Sequence, residues 1–418
     1  MRIRRFGPDT NAAELRALVP PARDVEDAVR EIVAEIKSGG DAAVRSMTER
    51  FDHAELGPAA LAVPPAEIEA AISTLEPGAL GGLRLAIENV RAVAEAQLRE
   101  LVGVTLPEGQ EVTLVEQPVR RAAAYVPGGR APYPSTVVMC ATTATAAGVD
   151  ELAVCAPPGP EGRAHPAILA ACGLCGVTEV YRMGGAQAIA ALAYGTESVR
   201  AVDVIVGPGN RWVTEAKRQV AGIVGIDGLA GPSELVVVAG SGADPELAAL
   251  DLLAQAEHGP DSFLVGISAD RALLDGIGDA AERLAVERPS VAAENLALVE
   301  AGDARAAVRL ADDLAPEHLQ LAGRDIEDLA PLVRSAGAVF VGRDAGTAFG
   351  DYVAGSNHVL PTGGAARFAS ALSVSTFRRR MARISLPDGA AARLSGPGAA
   401  LARAEGFPVH AESMERRA

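Results

Sequence analysis

Short apolar runs alternate with longer helical stripes along most of this chain, and that alternation is its strongest pattern. From Ala122 to Ala239, β-branched and small apolar runs predict strands at Ala122–Val126, Glu151–Cys155, Glu179–Met183, Val202–Val206 and Leu235–Val238. Between them lie helical patterns at Ser135–Gly148, His165–Cys172, Gln187–Tyr194 and Asn210–Val220. Such alternation implies a parallel sheet with right-handed crossovers, whose ligands gather at the carboxyl ends of the strands. The glycine-rich turns Pro127-Gly128-Gly129, Gly184-Gly185 and Gly207-Pro208-Gly209-Asn210 all fall on that edge, which favours a nucleotide-sized ligand. No Gly-x-Gly-x-x-Gly fingerprint stands at a strand-to-helix turn, so a pyrophosphate seated on a helix N-terminus in the usual way is not expected.

A second alternating set runs from Leu235 to about Phe377 and includes a strand at Ala338–Val341. Its first helix is well punctuated. Asp244-Pro245-Glu246 supplies an N-cap, a proline at the first helical position and an acid in the first turn. Leu247, Leu250, Leu253 and Ala254 form the apolar stripe, and Gly259-Pro260 stops it. Upstream, residues 25–101 read as helical, with Gly39-Gly40 and Pro64-Pro65 as breaks, and Pro20-Pro21 ends an earlier pattern. The last residues carry Pro387, Gly389, Gly396, Pro397 and Gly398 before a short helix ending at Gly406. The expected fold is α/β: two lobes with incomplete Rossmann-like parallel sheets, plus arms at both termini. The expected division is an N-terminal arm over 1–24, a first α/β domain over 25–121 and 233–377, a second Rossmann-like domain over 122–232, and a tail over 378–418. That tail has too few apolar positions for a core of its own and must dock on something.

Composition narrows the chemistry. At 418 residues, 49 % apolar and only 3 % aromatic, the chain suits a helix-rich α/β protein of more than one domain. A net charge of −16 argues against nucleic-acid binding, which needs a basic stripe. Lys37 and Lys217 are its two lysines, so Schiff-base chemistry has few candidates. The start, Met1-Arg-Ile-Arg-Arg-Phe, leads into no apolar stretch, and no apolar run reaches membrane-spanning length, so a cytoplasmic chain without a membrane partner is expected. Cys140, Cys155, Cys172 and Cys175 then read as reduced structural thiols, the Cys-x-x-Cys pair lying among small residues that pack a helix end.

Candidate ligands cluster late in the chain. Gln255 and His258, three apart, share a helix face with Asp251 one turn behind. His318 follows Glu317 after Pro316, His358 closes Asp351-Tyr-Val-Ala-Gly-Ser-Asn357-His358, and Glu405 precedes His410. Gln255, His258, Asp351, His358, Glu405 and His410 together exceed what one structural ion requires. Mixed nitrogen and oxygen donors with room for a substrate suit zinc or manganese.

These residues carry a longer resemblance. Tyr125-Val-Pro-Gly-Gly-Arg-Ala-Pro-Tyr-Pro, Gly184-Gly-Ala-Gln187, Gly207-Pro-Gly-Asn210 and Ala230-Gly-Pro-Ser233-Glu234 resemble histidinol dehydrogenases. So do Gln255-Ala-Glu-His258-Gly-Pro-Asp, Pro316-Glu317-His318-Leu, Gly350-Asp351-Tyr, Asn357-His358-Val-Leu-Pro-Thr and Glu405-Gly-Phe-Pro-Val-His410, in order and at family spacing. Ser356 stands where the family commonly has proline, and the segment between Asn210 and Ser233 is slightly short. The resemblance implies oxidation of L-histidinol to L-histidine through histidinal, with two NAD reduced in sequence at one site. It implies zinc ligands Gln255, His258, Asp351 and His410, and an acid–base pair Glu317 and His318. It implies substrate contacts from Ser233, Gln255, His258, His318, Asp351, Glu405 and His410, and NAD contacts from Tyr125, Gln187 and Asn210. It also implies a homodimer whose exchanged C-terminal tail brings Glu405 and His410 to the neighbouring subunit. The competing reading is a related zinc-dependent dehydrogenase of another small polyol, such as a sulfopropanediol. Retention of the acid Glu405 where an anionic substrate would favour a base speaks against it.

Overall fold

The computed structural model describes residues 1–19, 24–57, 61–128 and 131–418. The expected Pro20-Pro21 break and Gly129-Arg130 of the first glycine turn lie outside them. The chain begins with β1 (Arg2–Phe6) and α1 (Ala12–Arg16), followed by α2 (Glu26–Asp52), α3 (Pro65–Ile72) and α4 (Pro77–Glu95). Strands β2 (Val102–Thr105) and β3 (Glu111–Pro118) lead into β4 (Arg121–Tyr125), α5 (Pro134–Ala146), β5 (Glu151–Ala156), α6 (Pro166–Leu174), β6 (Glu179–Arg182) and α7 (Gly185–Tyr194). Then come β7 (Val204–Val206), α8 (Arg211–Val220), β8 (Gly225–Ile226), β9 (Glu234–Ala239), α9 (Pro245–Ala256), β10 (Phe263–Ser268) and α10 (Arg271–Val286). The remainder is β11 (Asn295–Glu300), α11 (Ala304–Leu314), β12 (His318–Ala322), α12 (Arg324–Glu327), β13 (Ala338–Val341), α13 (Thr347–Tyr352), β14 (Arg378–Ser385), α14 (Ala390–Ala404) and α15 (Pro408–Glu415).

Two all-parallel sheets organise these elements. The first runs β1-β11-β10-β9-β12-β13 and the second β6-β5-β4-β7-β8. In each, two strands step outward from a starting strand, and the chain then crosses back to add two more on that strand's other side. That is the 3-2-1-4-5 order of dinucleotide folds without the sixth strand. In the first sheet the reversal falls between β9 and β12, and in the second between β4 and β7. Strands β4, β9, β10 and β12 are buried along their whole length, as parallel strands covered by helices on both faces must be.

The cores follow from strand alternation. Ala122, Ala124 and Val126 face a cluster with α3, α4, α5 and α6, while Ala123 and Tyr125 face one with α2, α7 and α8. On the first sheet Leu235 and Val237 pack against α9 and α10, and Val236 and Val238 against α1 and α11. Helices α2, α3 and α4 therefore pack on the second sheet, although the sequence grouped residues 25–121 with the first. Their apolar stripes (Val29, Ile32 and Ile36; Leu83, Ile87 and Val90) match the alanine-rich faces of β4. The N-terminal segment expected as an arm contributes β1, paired in parallel with β11, to the edge of the first sheet. A third, antiparallel sheet, β14-β3-β2, joins residues 102–118 to the start of the expected tail. No helix among the described residues is long and apolar enough to cross a membrane. The four cysteines are unpaired, and burial raises the Cys172 thiol and lifts that of Cys175 to about 11.

Candidate functional site

The expected nucleotide contacts sit at the carboxyl edge of the second sheet. Tyr125 ends β4, and its buried hydroxyl accepts the Gly185 peptide hydrogen at 3.2 Å. Gln187, in the first turn of α7, donates to Asp52 at 3.4 Å. Asn210 caps α8, its side-chain oxygen accepting from the peptide nitrogens of Trp212 (3.0 Å) and Val213 (3.3 Å). Gly207, at φ +108°, turns the chain here, and a Cβ would lie 2.1 Å from the Tyr125 carbonyl oxygen. Lys217 spans from the Gly207 carbonyl to Asp227, at 2.6 Å each, and Asp227 in turn accepts from the Gly207 nitrogen at 2.6 Å. One of the two lysines is thus spent on holding this turn. On the first sheet the turn after β9 is closed by the chain itself, because Asp325 accepts from the Ser241 nitrogen at 2.6 Å.

The chemical candidates lie at the opposite, amino edge of the first sheet. Glu234 opens β9 and His318 opens β12, side by side. His318 Nδ1 lies 2.9 Å from the Glu234 carbonyl oxygen. A carbonyl only accepts, so Nδ1 carries a hydrogen in either form of the ring, and Nε2 is the nitrogen that gains or loses the proton. Nε2 is 3.5 Å from Asp351 Oδ1. Burial opposes charge on this imidazole, but the Glu317 and Asp351 carboxylates prevail and raise its pKa well above 6.5. Asp351 is held below its usual value despite burial, because His318, His358 and His258 all act on it. The Glu317 carboxylate accepts the Glu234 peptide hydrogen at 2.8 Å.

His358 is no open ligand. Its Nδ1 donates to the Asp351 carbonyl at 2.8 Å, its Nε2 faces the Thr136 hydroxyl at 3.2 Å, and burial lowers its pKa. It ties the Asp351 segment to α5 and hence one sheet to the other. Gln255 is buried, and its amide nitrogen has no partner. His258 is exposed beyond the end of α9, within electrostatic reach of Asp351. Asp251 accepts from Gln320 at 2.7 Å, and burial raises its pKa.

Glu405 and His410 are not part of this group within one chain. Both are exposed; α15 packs on α14 through Ala399, Ala402 and Ala411, and His410 faces the Phe407 ring at 5.3 Å. Accordingly, no cluster of three or more His, Cys, Asp or Glu among the described residues is disposed to hold a metal. Sequence reasoning missed Arg16, Glu234 and Asp52. Glu234 stood inside a quoted motif, whereas no local signal marked the other two.

A family model described as histidinol dehydrogenase matches residues 19–418. Curated histidinol dehydrogenases from Synechococcus sp. and Cereibacter sphaeroides are 44 % and 46 % identical, each over 94 % of this chain and 92 % of the relative. The crystal structure of histidinol dehydrogenase from Elizabethkingia anophelis is similar at a TM-score of 0.92 and 31 % identity, covering 100 % of this chain and 98 % of that one.

Proposed function

We propose a division of labour for a chain that belongs to the histidinol dehydrogenase family and is an NAD-dependent oxidoreductase of histidine biosynthesis. Histidinol is oxidised through histidinal to histidine in two hydride transfers. In its neutral form His318 takes the hydroxyl proton at Nε2 as the first hydride leaves carbon for NAD. The aldehyde must then be hydrated before a second hydride can leave. Glu317, out of bulk water beside His318, takes the proton of the attacking water. The observation that supports this reading is the placement of His318, whose Nδ1 is held by the Glu234 carbonyl while Nε2, the nitrogen that exchanges the proton, lies beside Asp351.

Gln255, His258 and Asp351 would offer zinc a mixed nitrogen and oxygen set, Gln255 through its amide oxygen, which the buried amide group, its nitrogen unpartnered, is free to turn toward an ion. Zinc would serve to hold and orient the amine and imidazole nitrogens of histidinol, having no redox chemistry of its own. His410 and Glu405 would come from the partner of a homodimer through the exchanged tail, completing the ligands and the substrate contacts. Ser233, beside Glu234, would contact substrate together with Gln255, His258, His318 and Asp351. NAD would lie along Tyr125, Gln187 and Asn210, much of it exposed, since no Gly-x-Gly-x-x-Gly turn encloses the pyrophosphate. Adding histidinol and NAD to the protein is expected to produce NADH absorbance that a chelator abolishes and zinc restores. Absence of NADH from the zinc-supplemented protein would overturn the reading.

A further inference from the structure

Glu234 is 2 % exposed and is joined on every side to the segment that carries the acid–base pair. Its peptide nitrogen donates to the Glu317 carboxylate at 2.8 Å, and its own carboxylate accepts from the Glu317 nitrogen at 3.2 Å. The two glutamates therefore bracket each other reciprocally, while the Glu234 carbonyl fixes His318 Nδ1 at 2.9 Å. The same carboxylate accepts from the Gly363 nitrogen at 2.9 Å. A buried carboxylate needs a counter-charge, and Arg16 of α1 supplies it with both guanidinium nitrogens. Arg16 also donates to the Leu314 carbonyl and lies over the Phe263 ring at 4.6 Å. Leu314 ends α11, and the next residue, Ala315, holds the left-handed conformation at φ 45°. A non-glycine residue persists there only when its surroundings impose it, and Pro316-Glu317-His318 follows at once.

We propose that Arg16 and Glu234 are positioning residues for Glu317 and His318. Arg16 neutralises Glu234 and holds the strained turn at Ala315. Glu234 sets the height of Glu317 and the tautomer of His318. Neither touches the reacting atoms, and the inference rests on the acid–base reading of that pair. The fork geometry matters, because Arg16 must reach a carboxylate and a peptide carbonyl together.

The test uses the zinc-loaded full chain carrying E234Q, R16M or R16K. Misplacement of an acid–base group lowers turnover far more than binding. E234Q and R16M are expected to lower kcat at least tenfold, with KM for histidinol and NAD and the zinc content within twofold. R16K, which keeps the charge but not the fork, should recover part of the loss, and it serves if R16M fails to fold. V265A, a buried change elsewhere in the same sheet, controls for stability at a matched melting temperature. Unchanged kcat, a rise in KM alone, or an equal kcat loss in V265A would overturn the proposal. If the parent makes no NADH from histidinol, the acid–base reading fails instead. Nitrogen NMR of the His318 ring, read at a pH where the ring is neutral, then decides separately: protonation on Nδ1 in the parent with mixed tautomers in R16M supports the positioning role, and one unchanged tautomer overturns it.

Discussion

A carboxylate and an imidazole in adjacent positions invite a test that separates their roles. Only the aldehyde step needs an activated water, so E317Q is expected to slow histidinal oxidation more than histidinol oxidation. H318N should slow both, by about 10²–10⁴, the usual contribution of a positioned general base. Rates measured with histidinol and with histidinal supplied separately check this, and equal losses in E317Q would contradict the assignment. Asp52 offers a second test, beside the nucleotide edge. Burial lifts its pKa to about 6, although the neighbouring His53 opposes the rise. A folded pKa above the unfolded one means that the folded state binds the extra proton between about pH 4 and 6. Stability therefore falls as pH rises through that window, and the loss is complete above about pH 6. D52N should be more stable than the parent at pH 8, by about 1–2 kcal/mol once solvent screening of a partly exposed group is discounted, and equal to it near pH 4. Urea midpoints at the two pH values decide it. Glu317 and His318 are legible in sequence only through the motif Pro316-Glu317-His318-Leu that carries the family resemblance. Arg16 and Glu234 are 218 positions apart, so only folding shows them to be partners.

Turns and strand ends, rather than whole elements, carry the chemistry of this fold. Gly207 joins β7 to α8 where a side chain would collide with the Tyr125 backbone. G207A should cost about 2–4 kcal/mol through strain and overpacking, and should raise KM for NAD while sparing KM for histidinol. Thermal melting and the two KM values check both parts, and an unchanged KM for NAD would remove this turn from the nucleotide site. The five strands expected between Ala122 and Val238 stand within two residues of their expected bounds, because continuous apolar runs between glycine turns mark buried parallel strands. The half-exposed edge strand Ala338–Val341 also stands as expected, whereas the two-residue β8 was missed. The antiparallel sheet left no such mark. Strand β14 reads Arg-Arg-Arg-Met-Ala-Arg-Ile-Ser and is exposed along nearly all its length, and its partner β3 lies far upstream. A solvated edge strand has no alternation to read, so residues 378–385 passed for tail.

The last prediction belongs to the assembly, in which the proposed zinc ligands and the tail would be completed by a second subunit. Helices α14 and α15 share only a small alanine cluster, and Leu401, Phe407 and Val409 are 63 %, 52 % and 74 % exposed. Apolar side chains grouped so near the chain end call for a covering surface, and the exposed His410 lies among them. In the proposed zinc site, Gln255, His258 and Asp351 would leave a fourth position for an imidazole from a second subunit. If the tail crosses to a second subunit, H410A and H258A are each inactive as homodimers but complement each other when mixed. One site of the heterodimer then carries both lesions and the other carries none, so activity should return to at most about half that of the parent per dimer. If the tail folds back on its own chain, every site keeps one lesion and mixing restores nothing. Activity of isolated, mass-verified heterodimers reads the difference, and zinc content gives the same answer without catalysis: about one intact ion site per heterodimer if the tail crosses, and none if it does not.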